Sequence, residues 1–95
     1  FDLTIKDYIG ENIAIIEFKA KSASTHEYAK DLCKLWNPKE KSKYKYFINL
    51  FEKIEKRTEK AFCNKLESLP KTSNEKVFIW AESLREKDKT IRMEK

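Results

Sequence analysis

Ile13-Ala14-Ile15-Ile16-Glu17-Phe18-Lys19-Ala20-Lys21 is the stretch on which the fold turns. Taken with period two, its β-branched residues and alternation make a strand. Leu3-Thr4-Ile5 before it and a turn at Gly10-Glu11-Asn12 then complete a hairpin. Ser24, with Glu27 three residues on, caps a helix starting near Thr25 in that reading. Taken with the 3.6-residue period, Ile9, Ile13, Ile16, Ala20, Ala23, Tyr28, Leu32, Leu35 and Trp36 form an apolar stripe instead. Propensity favours the strand slightly, and agreement with the rest of the chain favours the helix.

Outward from this stretch the pattern is helical. From Pro38 to Leu69, residues Tyr44, Phe47, Leu50, Phe51, Ile54, Thr58, Ala61, Phe62, Leu66 and Leu69 follow the 3.6-residue period, opposite a charged face of Lys53, Glu55, Lys56, Arg57, Glu59 and Lys60. Asn37 and Pro38 supply a start signal and Pro70 a stop. Beyond a loop at 70–74, Thr72 and Glu75 have capping-box spacing, and Val77, Trp80, Ala81, Leu84, Asp88 and Ile91 suggest a further helix. The alternating charges from Arg85 to Lys95 read as its solvated end or the start of a coiled coil. Trp36 and Trp80 read as helix-packing residues. Charged residues make up 39% of the chain against one Gly and two Pro, a composition that suits exposed helices. The expected fold is therefore all-α, a single domain over 1–95 built from amphipathic antiparallel helices in a bundle or coiled coil. The alternative is α+β, an N-terminal β-hairpin followed by helices.

Ninety-five residues fit one domain, and the chain starts at Phe1, which fits a piece of a longer protein. Twenty-one Lys plus Arg against sixteen Asp plus Glu leave a net charge of +5 and an attraction to acidic partners, with nucleic acid and anionic lipid first. Cys33 and Cys63 are too few for a disulfide framework and lack zinc-site spacing, so they read as reduced core thiols. No apolar run approaches the roughly 20 residues of a membrane span, and no signal-peptide pattern is present. The expected location is cytoplasmic, at the membrane periphery.

Two constellations point to function. Asp7, Glu17 and Lys19 combine two carboxylates with an ammonium, the set that metal-assisted phosphodiester cleavage uses, with Asp7 and Glu17 as metal ligands. Glu17-Phe18-Lys19 resembles the Glu-x-Lys half of the PD-(D/E)XK nuclease signature. The second is Glu27-Tyr28-Ala29-Lys30-Asp31-Leu32-Cys33-Lys34-Leu35 followed by the Lys-rich stretch Pro38 to Lys45. It resembles the end of the first helix of F-BAR domains, the Fes-type homology region of membrane-bending proteins, with Phe47-Ile48-Asn49-Leu50-Phe51-Glu52-Lys53-Ile54-Glu55 in the place of the second helix. The resemblance implies a dimeric helical module on anionic phospholipid membrane with a link to the actin cytoskeleton.

The residues by themselves agree with an anion-binding role for Lys30, Lys34, Lys39, Lys41, Lys43 and Lys45, since each Lys near an anionic leaflet contributes about 1 kcal/mol. The same lysines, with Tyr44 and Tyr46 for stacking, would suit nucleic acid, so a basic helical nucleic-acid-binding module is a further alternative. Phe47, Phe51, Ile54 and Phe62 leave apolar surface for self-association with a second copy or a partner helix. The reading is a binding module rather than an enzyme, without cofactor. His26, the one histidine, has no nucleophile in a suitable context and reads as a surface or capping residue.

Overall fold

The computed structural model describes residues 2–87 and 89–95; Asp88 of the expected C-terminal helix lies outside them. Its elements are β1 (Leu3–Lys6), β2 (Asn12–Ala20), α1 (Thr25–Trp36), β3 (Tyr44–Phe51), α2 (Lys56–Glu67), β4 (Phe78–Ser83) and β5 (Thr90–Glu94). The stretch from Ile13 is thus a strand, and the molecule is α+β, not a helical bundle or coiled coil. The hairpin alternative holds: β1 pairs antiparallel with β2, and the turn between them contains Gly10 at φ 88°, a left-handed conformation that a residue with a Cβ resists. Ser24 caps α1, its Oγ accepting from the Glu27 amide at 3.1 Å.

The long helix expected over Pro38 to Leu69 is a loop, a strand, a second loop and a twelve-residue helix. Tyr44-Lys45-Tyr46-Phe47-Ile48-Asn49-Leu50-Phe51 contains apolar residues on both parities, so any periodicity can be drawn through it. Its four aromatic residues and Ile48 suit it to be the central strand, with Phe47 and Phe51 buried under the helices and Tyr44, Tyr46, Ile48 and Leu50 on the other side of the sheet. The helix expected over Val77 to Ile91 is the β4–β5 hairpin, antiparallel from Phe78↔Glu94 to Glu82↔Thr90. The F-BAR resemblance falls with the helices. Glu27 to Leu35 do lie in α1, but α1 is twelve residues long and packs on a sheet, so the dimeric helical shell, the membrane role through it and the cytoskeletal link fall with it.

The sheet order is β1-β2-β3-β4-β5, with β2, β3 and β4 parallel and a hairpin strand at either edge. Two successive crossovers that advance the same way across a sheet place their helices on one face. The ring contacts show this: Tyr28 of α1 meets Phe47 at 5.8 Å and Phe62 of α2 at 5.7 Å, both edge to face, and Phe62 meets Phe51 at 5.6 Å. The core between helices and sheet is built from Tyr28, Leu32, Leu35 and Trp36 of α1, Phe62 and Leu66 of α2, and Ile15, Phe47, Phe51, Ile79, Ala81 and Ile91 from the strands. All of these strand residues share one parity through the register, so the described residues form two layers, and among them no helix lies on the opposite face of the sheet.

Polar groups tie the helical layer to the strand ends. The buried Tyr28 hydroxyl donates to Asn49 Oδ1 at 2.8 Å and accepts from the Ala23 amide at 3.3 Å. Asn49 Nδ2 donates to the Lys21 carbonyl at 2.9 Å, which holds Lys21 at φ 64° and turns the chain from β2 into α1. Among the described residues, no buried side-chain nitrogen or oxygen lacks a partner.

Candidate functional site

The residues singled out in the sequence are dispersed. Asp7 sits in the β1–β2 turn, where Oδ1 accepts from the amides of Ile9 at 3.0 Å and Glu11 at 2.9 Å. Glu17 lies six residues from Glu11, about 20 Å at the strand rise. Glu17 and Lys19 do share a face, but it is the face that α1 covers. Glu17 is buried with Lys34 Nζ at 4.0 Å, and Lys19 donates to Asp31 at 2.8 Å, a contact that raises its pKa above the ordinary lysine value. These are ties between β2 and α1, and no group of three or more His, Cys, Asp or Glu able to hold a metal occurs among the described residues. The carboxylate pair of the nuclease reading is therefore not assembled.

The lysine series is divided as well. Lys30 and Lys34 are exposed on α1, and Lys39, Lys41 and Lys43 lie in the loop after it, Lys41 and Lys43 beside Lys6 around a depression at the hairpin end. Lys45 is on the covered face of β3, 3% exposed, donating to Glu75 Oε1 and the Asn37 carbonyl, each at 3.1 Å. It clamps the loops that follow α1 and α2 and is not free to meet a ligand. Phe47, Phe51, Ile54 and Phe62, the expected association residues, are all buried in the core. Cys63 is partly buried, which pushes its thiol pKa up, whereas Cys33 is exposed and not a core thiol. His26 is exposed at the start of α1. Among the described residues no helix is long and apolar enough to cross a membrane.

What the structure does bring together is the uncovered sheet face. The register aligns its side chains in rows across the strands: Leu3, Ile16, Tyr46, Phe78 and Glu94 in one, Phe18, Ile48, Trp80 and Arg92 in the next, Ala20, Leu50, Glu82 and Thr90 in a third. Ile5, Ala14 and Tyr44 continue it at the other end. Its centre, from Ile16 through Tyr46 and Ile48 to Trp80, is apolar without a break. Leu3 and Ile5 are each 44% exposed, Phe18 40% and Tyr44 39%, while the inner residues are half-buried by one another and by no second layer.

The aromatic half of this face is ordered by ring contacts. Tyr46 lies 5.5 Å from Phe78 and 5.9 Å from Trp80, and Tyr44 lies 6.3 Å from Tyr46. The Arg92 guanidinium sits 5.3 Å over Trp80 and the Lys43 ammonium 5.5 Å from Tyr44, both within cation–π range. Trp80, read from the sequence as a helix-packing residue, is therefore part of an open platform, and Trp36 alone is in the core, its Nε1 donating to the Lys95 carbonyl at 3.1 Å. At the C-terminal end of the parallel strands the platform runs into a depression of about 540 Å³ between Leu50 and Leu84, walled by the Arg85–Glu52 ion pair at 2.6 Å.

The face was detectable in the sequence once β3 was recognised. A strand with one solvated face alternates apolar and polar residues, whereas β3 is apolar at Tyr44, Tyr46, Ile48 and Leu50 as well as at Phe47 and Phe51. Comparison of the chain with models of protein families, with curated proteins and with solved structures finds no match.

Proposed function

We propose that this chain is a protein-interaction module whose working surface is the uncovered face of its sheet. The observation that carries the proposal is the unbroken apolar centre of that face in a fold whose helices all lie on the other side. Five strands about 4.8 Å apart and three rows along them give roughly 400 Å² in projection, and more in accessible area because side chains roughen it. That is within the size range of the functional patches of monomeric proteins. The chemistry favours a protein over the other acidic and apolar partners open to a basic chain. Beside its rings the face carries Leu3, Ile16, Ile48 and Leu50, aliphatic side chains that pack against a protein and give bases nothing to stack on. Across the rows of the face Arg92 and Lys76 stand against Glu82 and Glu94, with Lys76 paired to Glu94 at 3.3 Å, and Lys43 over Tyr44 adds a single positive charge at one end. Most of the net charge of +5 resides elsewhere, so phosphates gain little on this side.

Site-specific photo-crosslinking tests the proposal. A benzophenone amino acid placed at Ile48 is expected to yield discrete protein adducts that excess unmodified chain competes away. The same group at Lys30, exposed on α1, is expected to yield none. Adducts from Lys30 equal to those from Ile48, adducts destroyed by nuclease, or no adducts at all would each refute it.

A further inference from the structure

Resting on that reading, we infer that the partner on the sheet face is a second copy of this chain, related by a two-fold axis that lies between the faces and runs across the strands. The register makes the face self-complementary about one line only. That line passes between the row of Ile16, Tyr46, Phe78 and Glu94 and the row of Phe18, Ile48, Trp80 and Arg92. Rotation about it lays each row on the other. Phe78 then faces Trp80 of the second copy, Tyr46 faces Ile48, Ile16 faces Phe18, and at the rim Glu94 faces Arg92, twice over by symmetry.

The alternative two-fold, parallel to the strands, would lay β1 on β5. It would set Leu3 against Glu94 and leave Arg92 without an acid opposite it, so the charges choose the axis. The right-handed twist of each sheet is accommodated by the usual aligned packing of two sheets at about 30°. Apposing two faces of this size covers roughly 400 Å² of projected area on each chain, the central part of the roughly 800 Å² per partner of a stable protein interface. The aromatic residues at its centre are the types that carry most of the binding in such contacts.

Charge reversal tests the axis. The wild-type chain is expected to sediment as a dimer at micromolar concentration. Arg92→Glu and Glu94→Arg each place two like-charge pairs at the rim and are expected to weaken the dimer roughly tenfold or more. In an equimolar mixture of the two variants, one chain sets two acids at the rim against two arginines of the other. Both ion pairs are thereby restored, and the dimer is expected to recover. Far-UV circular dichroism checks that each variant is folded. Ile48→Asp is a further variant, expected to be monomeric whatever the ions do.

A wild-type chain that stays monomeric while position 48 still crosslinks to a different protein would overturn the second copy and leave the docking face standing. A monomer without face-specific adducts would end both. A dimer that survives Arg92→Glu, Glu94→Arg and Ile48→Asp alike would place self-association elsewhere and overturn the second copy on this face. Loss in both single variants without recovery in the mixture would overturn the proposed axis.

Discussion

Tyr28 shows how one side chain serves two layers. Its ring bridges Phe47 and Phe62, and its hydroxyl closes the chain of hydrogen bonds through Asn49 to the Lys21 carbonyl. Tyr28→Phe keeps the packing and strands Asn49 Oδ1 and the Ala23 amide, so it is expected to cost about 1–3 kcal/mol in urea unfolding at pH 7. Burial holds the Tyr28 hydroxyl above its ordinary pKa of 10.0. The folded state therefore keeps this proton more tightly than the unfolded chain does. The stability linked to it is whole below about pH 10 and drains as pH rises toward the raised value. The Phe variant lacks that loss, so its deficit against the wild type is expected to narrow above pH 10, as a series of urea titrations would show. Widening instead would mean that the hydroxyl ionises more easily in the fold than out of it.

At the scale of elements, β3 carries two functions on its two parities. Phe47 is fully buried under the helices and Phe47→Ala is expected to cost about 3–5 kcal/mol. Ile48, its neighbour, faces the open side, and Ile48→Ala is expected to cost no more than about 1 kcal/mol in dilute monomer. Chemical denaturation of both variants at one low concentration checks the contrast. The same two-sidedness explains what was legible in the sequence. The β1–β2 hairpin and the Ser24 cap could be read because Gly10-Glu11-Asn12 and the Ser24/Glu27 spacing are local signals that no tertiary contact contradicts. Strand β3 could not, because a segment apolar on both parities satisfies the helical period at Tyr44, Phe47, Leu50 and Phe51 without being helical. In and beside β4, Val77, Trp80, Ala81 and Leu84 mimic a helix stripe in the same way, although Ala81 and Trp80 point to opposite faces of the sheet. The candidate surface was hidden for the same reason: its residues fit helix faces equally well. The lysine series misled differently, since alternation along a strand places Lys45 in the interior, where only its ties to Glu75 and Asn37 make it tolerable.

For the whole molecule, a two-layer fold with one bare side links stability to concentration. Whatever binds the native face and not the unfolded chain raises the melting temperature by mass action. The melting temperature of the wild type is expected to climb as protein concentration rises about a hundredfold, and that of Ile48→Asp to stay level; differential scanning calorimetry at several concentrations separates the two. A level wild-type curve would count against self-association. The order of the strands has a kinetic consequence of its own. The outer hairpins join neighbours in sequence, but β2 meets β3 only after thirty positions, Ala14 against Tyr44, with α1 and a loop between them. Closing that span loses chain entropy before any parallel pairing offsets it. The hairpins can thus form and dissolve many times while the chain waits for β3 to find its place, and until it does, the aromatic strand at the centre of the fold is the segment most open to meeting another chain.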